Sequence, residues 1–119
     1  MDSEIAFSVR GARADTTEVL REYAARRIAF AVRRFTHRVR HLTVRLVDEN
    51  GPRRGLDAHC SITAELTDRR TIFVEATAAW PFAAITLAAG RLSEALRRDA
   101  DRHAVHRSRR KLERHLFVS

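Results

Sequence analysis

The chain has 119 residues, 45% of them hydrophobic and 32% charged, which is enough to bury one core and too apolar for a disordered chain. Its formal charge is +8; no apolar run nears the roughly 18 residues that cross a bilayer, and Met1-Asp2-Ser3-Glu4 does not open like a signal peptide, so a cytoplasmic protein with a polyanionic partner is expected. The single cysteine, Cys60, excludes an internal disulfide and a zinc finger and reads as a buried structural thiol.

Ile5, Phe7 and Val9 alternate with Ala6, Ser8 and Arg10, the period of a half-buried strand. Gly11 through Ala14 breaks the alternation, and Asp15 with Glu18 resembles a capping box that starts a helix near Thr16. Leu20, Tyr23, Ala24, Ile28, Ala31 and Phe35 give that helix one apolar face, with Arg21, Arg26, Arg27, Arg33 and Arg34 mostly elsewhere. Leu42, Val44 and Leu46 predict a second strand that ends at the turn-rich Asp48-Glu49-Asn50-Gly51-Pro52, with a loop to about Asp57. Cys60, Ile62, Ala64 and Leu66 predict a third strand, and after a turn at Asp68-Arg69, Ile72, Val74 and Ala76 predict a fourth. Short connections make these three an antiparallel meander. Pro81 suits the first turn of a second helix, whose stripe is Phe82, Ile85, Ala89, Leu92 and Leu96. The stripe then fails at Asp99, His103 and Arg107, so the helix is expected to project past the sheet and its end, Arg107 to Ser119, to fray into a basic tail. The order β-α-β-β-β-α implies an α+β fold of two layers, a four-stranded sheet with both helices on one face.

The charge is concentrated. Residues 21–40 carry seven arginines against Glu22, and residues 97–114 carry eight basic residues against Asp99, Asp101 and Glu113, which leaves the rest of the chain net acidic. Residues 23–40 contain no acid, whereas a merely solvated face mixes signs and gains from ion pairs four apart. Arginine supplies 22 of the 23 basic residues, and its planar fork holds a phosphate through two hydrogen bonds. The two clusters make Arg26, Arg27, Arg33, Arg34, Arg38, Arg91, Arg97, Arg98, Arg102, Arg109, Arg110 and Lys111 the candidate RNA-binding residues. Phe7, Phe35 and Phe82 are assigned to the core, while Phe73 and Trp80 are open to stacking on a base or packing on a partner. His37 with His41 and Asp99 with His103 lack a third ligand, serine-nucleophile motifs are missing, and the four glycines form no phosphate loop. Neither catalysis nor a metal or cofactor is expected.

Thr17-Glu18-Val19-Leu20-Arg21-Glu22-Tyr23 and Phe82-Ala83-Ala84-Ile85 resemble the openings of the two helices in the ribosome hibernation-promoting factor family, also called ribosome-associated inhibitor A or the sigma-54 modulation protein family. The resemblance spans about residues 5–106. It implies a factor that lies in the mRNA and tRNA channel of the small ribosomal subunit, contacts rRNA and ribosomal proteins, and silences translation under stress, with no small-molecule substrate or membrane. A separate ribosome modulation factor is a further partner to consider. Residues 1–106 would be the ribosome-binding domain and 107–119 a basic helix end or tail, a short form that does not pair ribosomes by itself. Position by position, the family's basic residues fall on Arg27, Arg91, Arg98 and Arg102, and Arg33, Arg34 and Arg38 are added by charge. Thr86, Glu94, Ala100 and Phe30 depart from the family pattern. Two other classes fit the composition: a double-stranded RNA-binding module acting away from the ribosome, and a protein-interaction modulator of transcription.

Overall fold

The computed structural model describes residues 4–11, 14–48 and 58–117. Its elements are β1 (Glu4–Arg10), α1 (Ala14–Val32), β2 (Val39–Asp48), β3 (Ala58–Leu66), β4 (Thr71–Ala78) and α2 (Pro81–Phe117). The strands lie in the order β1-β2-β3-β4, so the expected α+β architecture is the one observed. The meander β2-β3-β4 is antiparallel, and β1 joins it parallel to β2 through the α1 crossover, which makes the sheet mixed.

Register explains the layering. Ile5, Phe7 and Val9 pair with Leu42, Val44 and Leu46, which pair in turn with Ala64, Ile62 and Cys60, and these with Ile72, Val74 and Ala76. Period-two side chains on paired strands share a face, so one side of the sheet is apolar throughout. Leu20, Ala24 and Ile28 of α1 and Ala84, Ile85, Ala88, Leu92 and Leu96 of α2 are buried against it. Full burial of each large aliphatic side chain contributes ~1.5–3 kcal/mol.

Both helices run the same way. Parallel pairing of β1 and β2 brings α1 back along the sheet from the end that holds Gly11 and Asp48 to the end where β2 starts. Leaving β4 at the Gly11 end, α2 meets α1 there: Tyr23 lies edge-on to Phe82 at 5.1 Å and shares a 2.6 Å hydrogen bond with Thr86. The single Thr86 hydroxyl proton goes to the Phe82 carbonyl at 3.0 Å, so Tyr23 donates to Thr86. The departure at Thr86 is thus a link between the helices. Gly11 sits at φ 88°, where a Cβ would run into the Asp48 carbonyl, so the β1–α1 corner requires glycine.

Several boundaries differ from the periodicity. Starting two residues early, α1 takes Asp15 and Glu18 inside its first turns rather than using Asp15 as its cap. It also ends at Val32, and Phe35 packs half-buried from a turn over residues 33–38 that is closed by Phe35 N–H to Val32 O (2.7 Å) and Arg38 N–H to Phe35 O (2.8 Å). Phe82, assigned to the core, is 40% exposed. Instead of fraying at Arg107, α2 stays helical to Phe117 and gives the molecule a long axis of 71 Å. The loop expected from Glu49 to Asp57 lies outside the described residues.

Candidate nucleic-acid interface

The two helices end, or leave the sheet, at the same side of the molecule, and the arginines gather there. Arg33 and Arg34 occupy the turn after α1; the guanidinium of Arg33 stacks 3.9 Å from the Phe30 ring and donates to the Phe30 carbonyl at 2.8 Å. That bond satisfies a carbonyl in the last turn of α1, where the helix dipole favours a cation. Phe30 itself is 60% exposed, so its departure from the family pattern yields an aromatic face under an arginine rather than another positive charge.

Arg26, Arg27, Arg34 and Arg98 are exposed and form no ion pair among the described residues. Arg109, Arg110 and Lys111 are exposed on the part of α2 that projects beyond the sheet. Other candidates are already engaged. Arg91 donates to the Glu75 carbonyl on the outer strand β4 at 2.6 Å, and Arg97 lies between Glu94, to which it is hydrogen-bonded, and Asp101 at 3.3 Å. The Arg97 guanidinium holds the Glu94 carboxyl below the usual carboxylate range. Glu94 therefore offsets a neighbouring arginine where the family commonly adds charge.

The failure of the apolar stripe at Asp99 does not end burial. Asp99 is 3% exposed. Arg70 clamps it with two bonds, Nη1 to Oδ1 at 2.6 Å and Nη2 to Oδ2 at 3.1 Å; Arg38 adds a third at 3.0 Å, and Arg102 stands 3.8 Å away. Arg70 also donates from Nε to Asp68 at 2.8 Å and lies 3.3 Å from His103 Nδ1. The Arg70 bonds hold the Asp99 carboxyl below its ordinary range, although burial acts the other way. Arg38 is thus tied to a buried carboxylate rather than standing free. Arg70 lies outside both charge clusters, so charge counting misses it; a sequence signal existed only in the adjacent pair Arg69-Arg70 at a hairpin tip.

Phe73, 58% exposed, shares the face of the sheet opposite the helices with Thr43, Arg45, Ser61 and Thr63. Trp80, 68% exposed, precedes α2 at the Gly11 end, opposite the end that holds Arg33 and Arg34. Cys60 is fully buried, and burial pushes its thiol up to about 12, which leaves it without a nucleophilic role at neutral pH. Among the described residues no group of three His, Cys, Asp or Glu could hold a metal, and no helix is long and apolar enough to cross a membrane.

Residues 7–104 match the family described as Sigma 54 modulation protein / S30EA ribosomal protein. The chain belongs to that family. Membership makes it a ribosome-associated modulation protein. Two solved structures share the fold of this S30EA chain. The Protein Y N-terminal domain from Thermus thermophilus matches with a TM-score of 0.60 and 22% identity, covering 82% of this chain and 98% of that one. A ribosomal subunit interface protein from Coxiella burnetii matches with a TM-score of 0.65 and 14% identity over the same shares. No curated protein sequence matches this S30EA chain.

Proposed function

We propose that this S30EA protein binds the small ribosomal subunit in the cytoplasm, lays its arginines on rRNA backbone in the channel used by mRNA and tRNA, and silences translation under stress. It acts by occupancy, without catalysis, cofactor or small-molecule substrate. The observation that carries this reading is the set of exposed arginines, Arg26, Arg27, Arg34 and Arg98, on two parallel helices, which form no ion pair among the described residues. Like charges on one molecule repel one another, and a polyanion relieves the repulsion. Family membership supports the ribosome as that polyanion, and the Coxiella burnetii subunit interface protein supports a place between the subunits.

Sucrose-gradient sedimentation of the purified protein with ribosomes tests it. The protein is expected to travel with the small subunit or whole ribosome at low salt and to leave it at high salt. Reversing Arg27, Arg98 and Arg102 together to Glu should abolish co-sedimentation while circular dichroism stays that of the wild type, because all three are exposed. Normal co-sedimentation of the triple variant would sink the assignment. Absence of any association at low salt would instead favour a free duplex RNA or a protein partner.

A further inference from the structure

Three segments far apart in sequence meet on the Asp99 carboxylate: the turn before β2, the β3–β4 hairpin and the middle of α2. One arginine would neutralise it, and Arg70 already clamps both oxygens. Arg38 and Arg102 are therefore surplus to its neutralisation. Among the described residues the acid touching this group besides Asp99 is Asp68, so three guanidinium charges face two carboxylates, with His103 beside them. Local charge stays positive, and it reaches solvent: the Arg70 and Arg102 side chains are 45% and 73% exposed, and that of Arg38 is 20% exposed.

The donors are unevenly committed. Arg70 uses Nε and both Nη atoms on Asp68, Asp99 and His103. Arg38 gives one bond to Asp99, and Arg102, at 3.8 Å, is held by charge without a hydrogen bond. A guanidinium carries five N–H groups, so Arg38 and Arg102 retain donors beside a fixed positive centre. The hairpin next to them adds a second observation. Arg69 lies at φ 78°, a left-handed conformation that costs a residue with a Cβ roughly 1–2 kcal/mol and that glycine adopts freely. An exposed arginine occupies this strained position, directly before Arg70, in a turn whose Thr67 N–H is tied to the Arg38 carbonyl at 2.9 Å.

We propose that Arg38, Arg70 and Arg102 form one seat for an RNA backbone phosphate, with Asp99 as the positioning residue that holds the three guanidinium groups at fixed spacing. The inference rests on the RNA-binding reading above and sharpens it. Arg38 and Arg102 supply the donors, Arg70 supplies charge and rigidity, and Asp99 never touches the ligand.

Asp99 and Asp101 make the decisive comparison, because replacing either by Asn removes one negative charge from the same turn of α2. Bulk electrostatics alone makes both variants bind RNA more tightly than the wild type. The seat requires a split. Measured by fluorescence anisotropy on a short helical rRNA fragment and by sedimentation with small subunits, Asp101→Asn should bind at least as tightly as the wild type. Asp99→Asn should bind about tenfold more weakly, the scale of one set of charge-assisted hydrogen bonds, with a log–log salt slope shallower by about 1 despite its higher charge. Arg70→Lys keeps the charge but loses the two-bonded clamp, and should weaken binding in the same way. Circular dichroism checks the fold of each; should Asp99→Asn not fold, Arg70→Lys and the exposed Arg102→Gln decide. Wild-type-like binding by Asp99→Asn, or by Arg70→Lys and Arg102→Gln, overturns the seat while the broader reading stands. A wild type that binds neither RNA nor ribosomes at low salt overturns both.

Discussion

A buried aspartate surrounded by arginines is worth more to this molecule than its place on an arginine-rich helix suggests. Asp99 fastens α2 to the β3–β4 hairpin and to the turn before β2, and its carboxyl is held below its ordinary value by the Arg70 bonds. A depressed native value means stabilisation that is present above the unfolded-chain value of about 3.9 and is lost as pH falls through the lower native one. Asp99→Asn is expected to lower stability at pH 7 by about 1–3 kcal/mol, less than a fully enclosed ion pair because Arg70 is half exposed. The gap to the wild type should then start to narrow below about pH 4, where the unfolded chain takes up a proton that the native carboxyl, held lower, does not yet bind. Thermal melts followed by circular dichroism from pH 7 to pH 3 check this; a gap that stays constant over that range would sink the account. The remaining arginines divide on the same physical ground, Arg91 and Arg97 being held by nearby acceptors while Arg26, Arg27, Arg34 and Arg98 stand free of ion pairs among the described residues.

Among the elements, α2 joins two helices of different character. Up to Leu96 it buries an apolar stripe, and beyond Asp99 it rises from the sheet with Arg109, Arg110, Lys111 and Leu112 all exposed. Ending the chain after Ala104 should therefore change unfolding free energy by no more than about 0.5 kcal/mol, the range of surface changes, yet weaken ribosome binding by removing a run of basic residues. Urea unfolding and co-sedimentation of the shortened chain separate the two effects; a large stability loss would mean that the projection packs against the domain. Much of this was legible from periodicity: the order of elements, the inward face of every strand and the stripe of each helix apart from Phe35 and Phe82. The early start of β2 was hidden because a bulge between Val39 and His41 breaks the alternation that begins cleanly at Leu42. The ion network was hidden for another reason. Arg38 and Arg70 lie 61 and 29 residues from Asp99, and no spacing rule along one helix reports a partner delivered by the fold.

On the scale of the whole molecule, what matters is where the described members of the two arginine clusters lie. The Gly11 end carries Tyr23, Trp80 and Phe82 beside the exposed Arg10, while Arg33, Arg34 and Arg98 lie toward the opposite end and Arg109, Arg110 and Lys111 on the projecting helix, along a body 71 Å long and 19 Å thin. Such a shape can lie along a nucleic-acid groove and touch several phosphates at once, each contact releasing condensed counterions. About six neutralised phosphates give a log–log dependence of affinity on salt with a slope of roughly −4 to −5. The slope is to be read from anisotropy titrations between about 50 and 200 mM monovalent salt, a range in which six contacts lose roughly three decades of affinity. A shorter chain that ends after Ala104 should give a shallower slope, because fewer phosphates are reached, whereas a change that merely loosens the fold would lower affinity without altering the slope. A slope near zero would mean that apolar contacts govern binding, and would move attention to the aromatic end around Trp80 and to a protein partner. The steep slope is the expected result, since Arg26, Arg27 and Arg34, within the acid-free residues 23–40, form no ion pair among the described residues and are left to counterions or a polyanion.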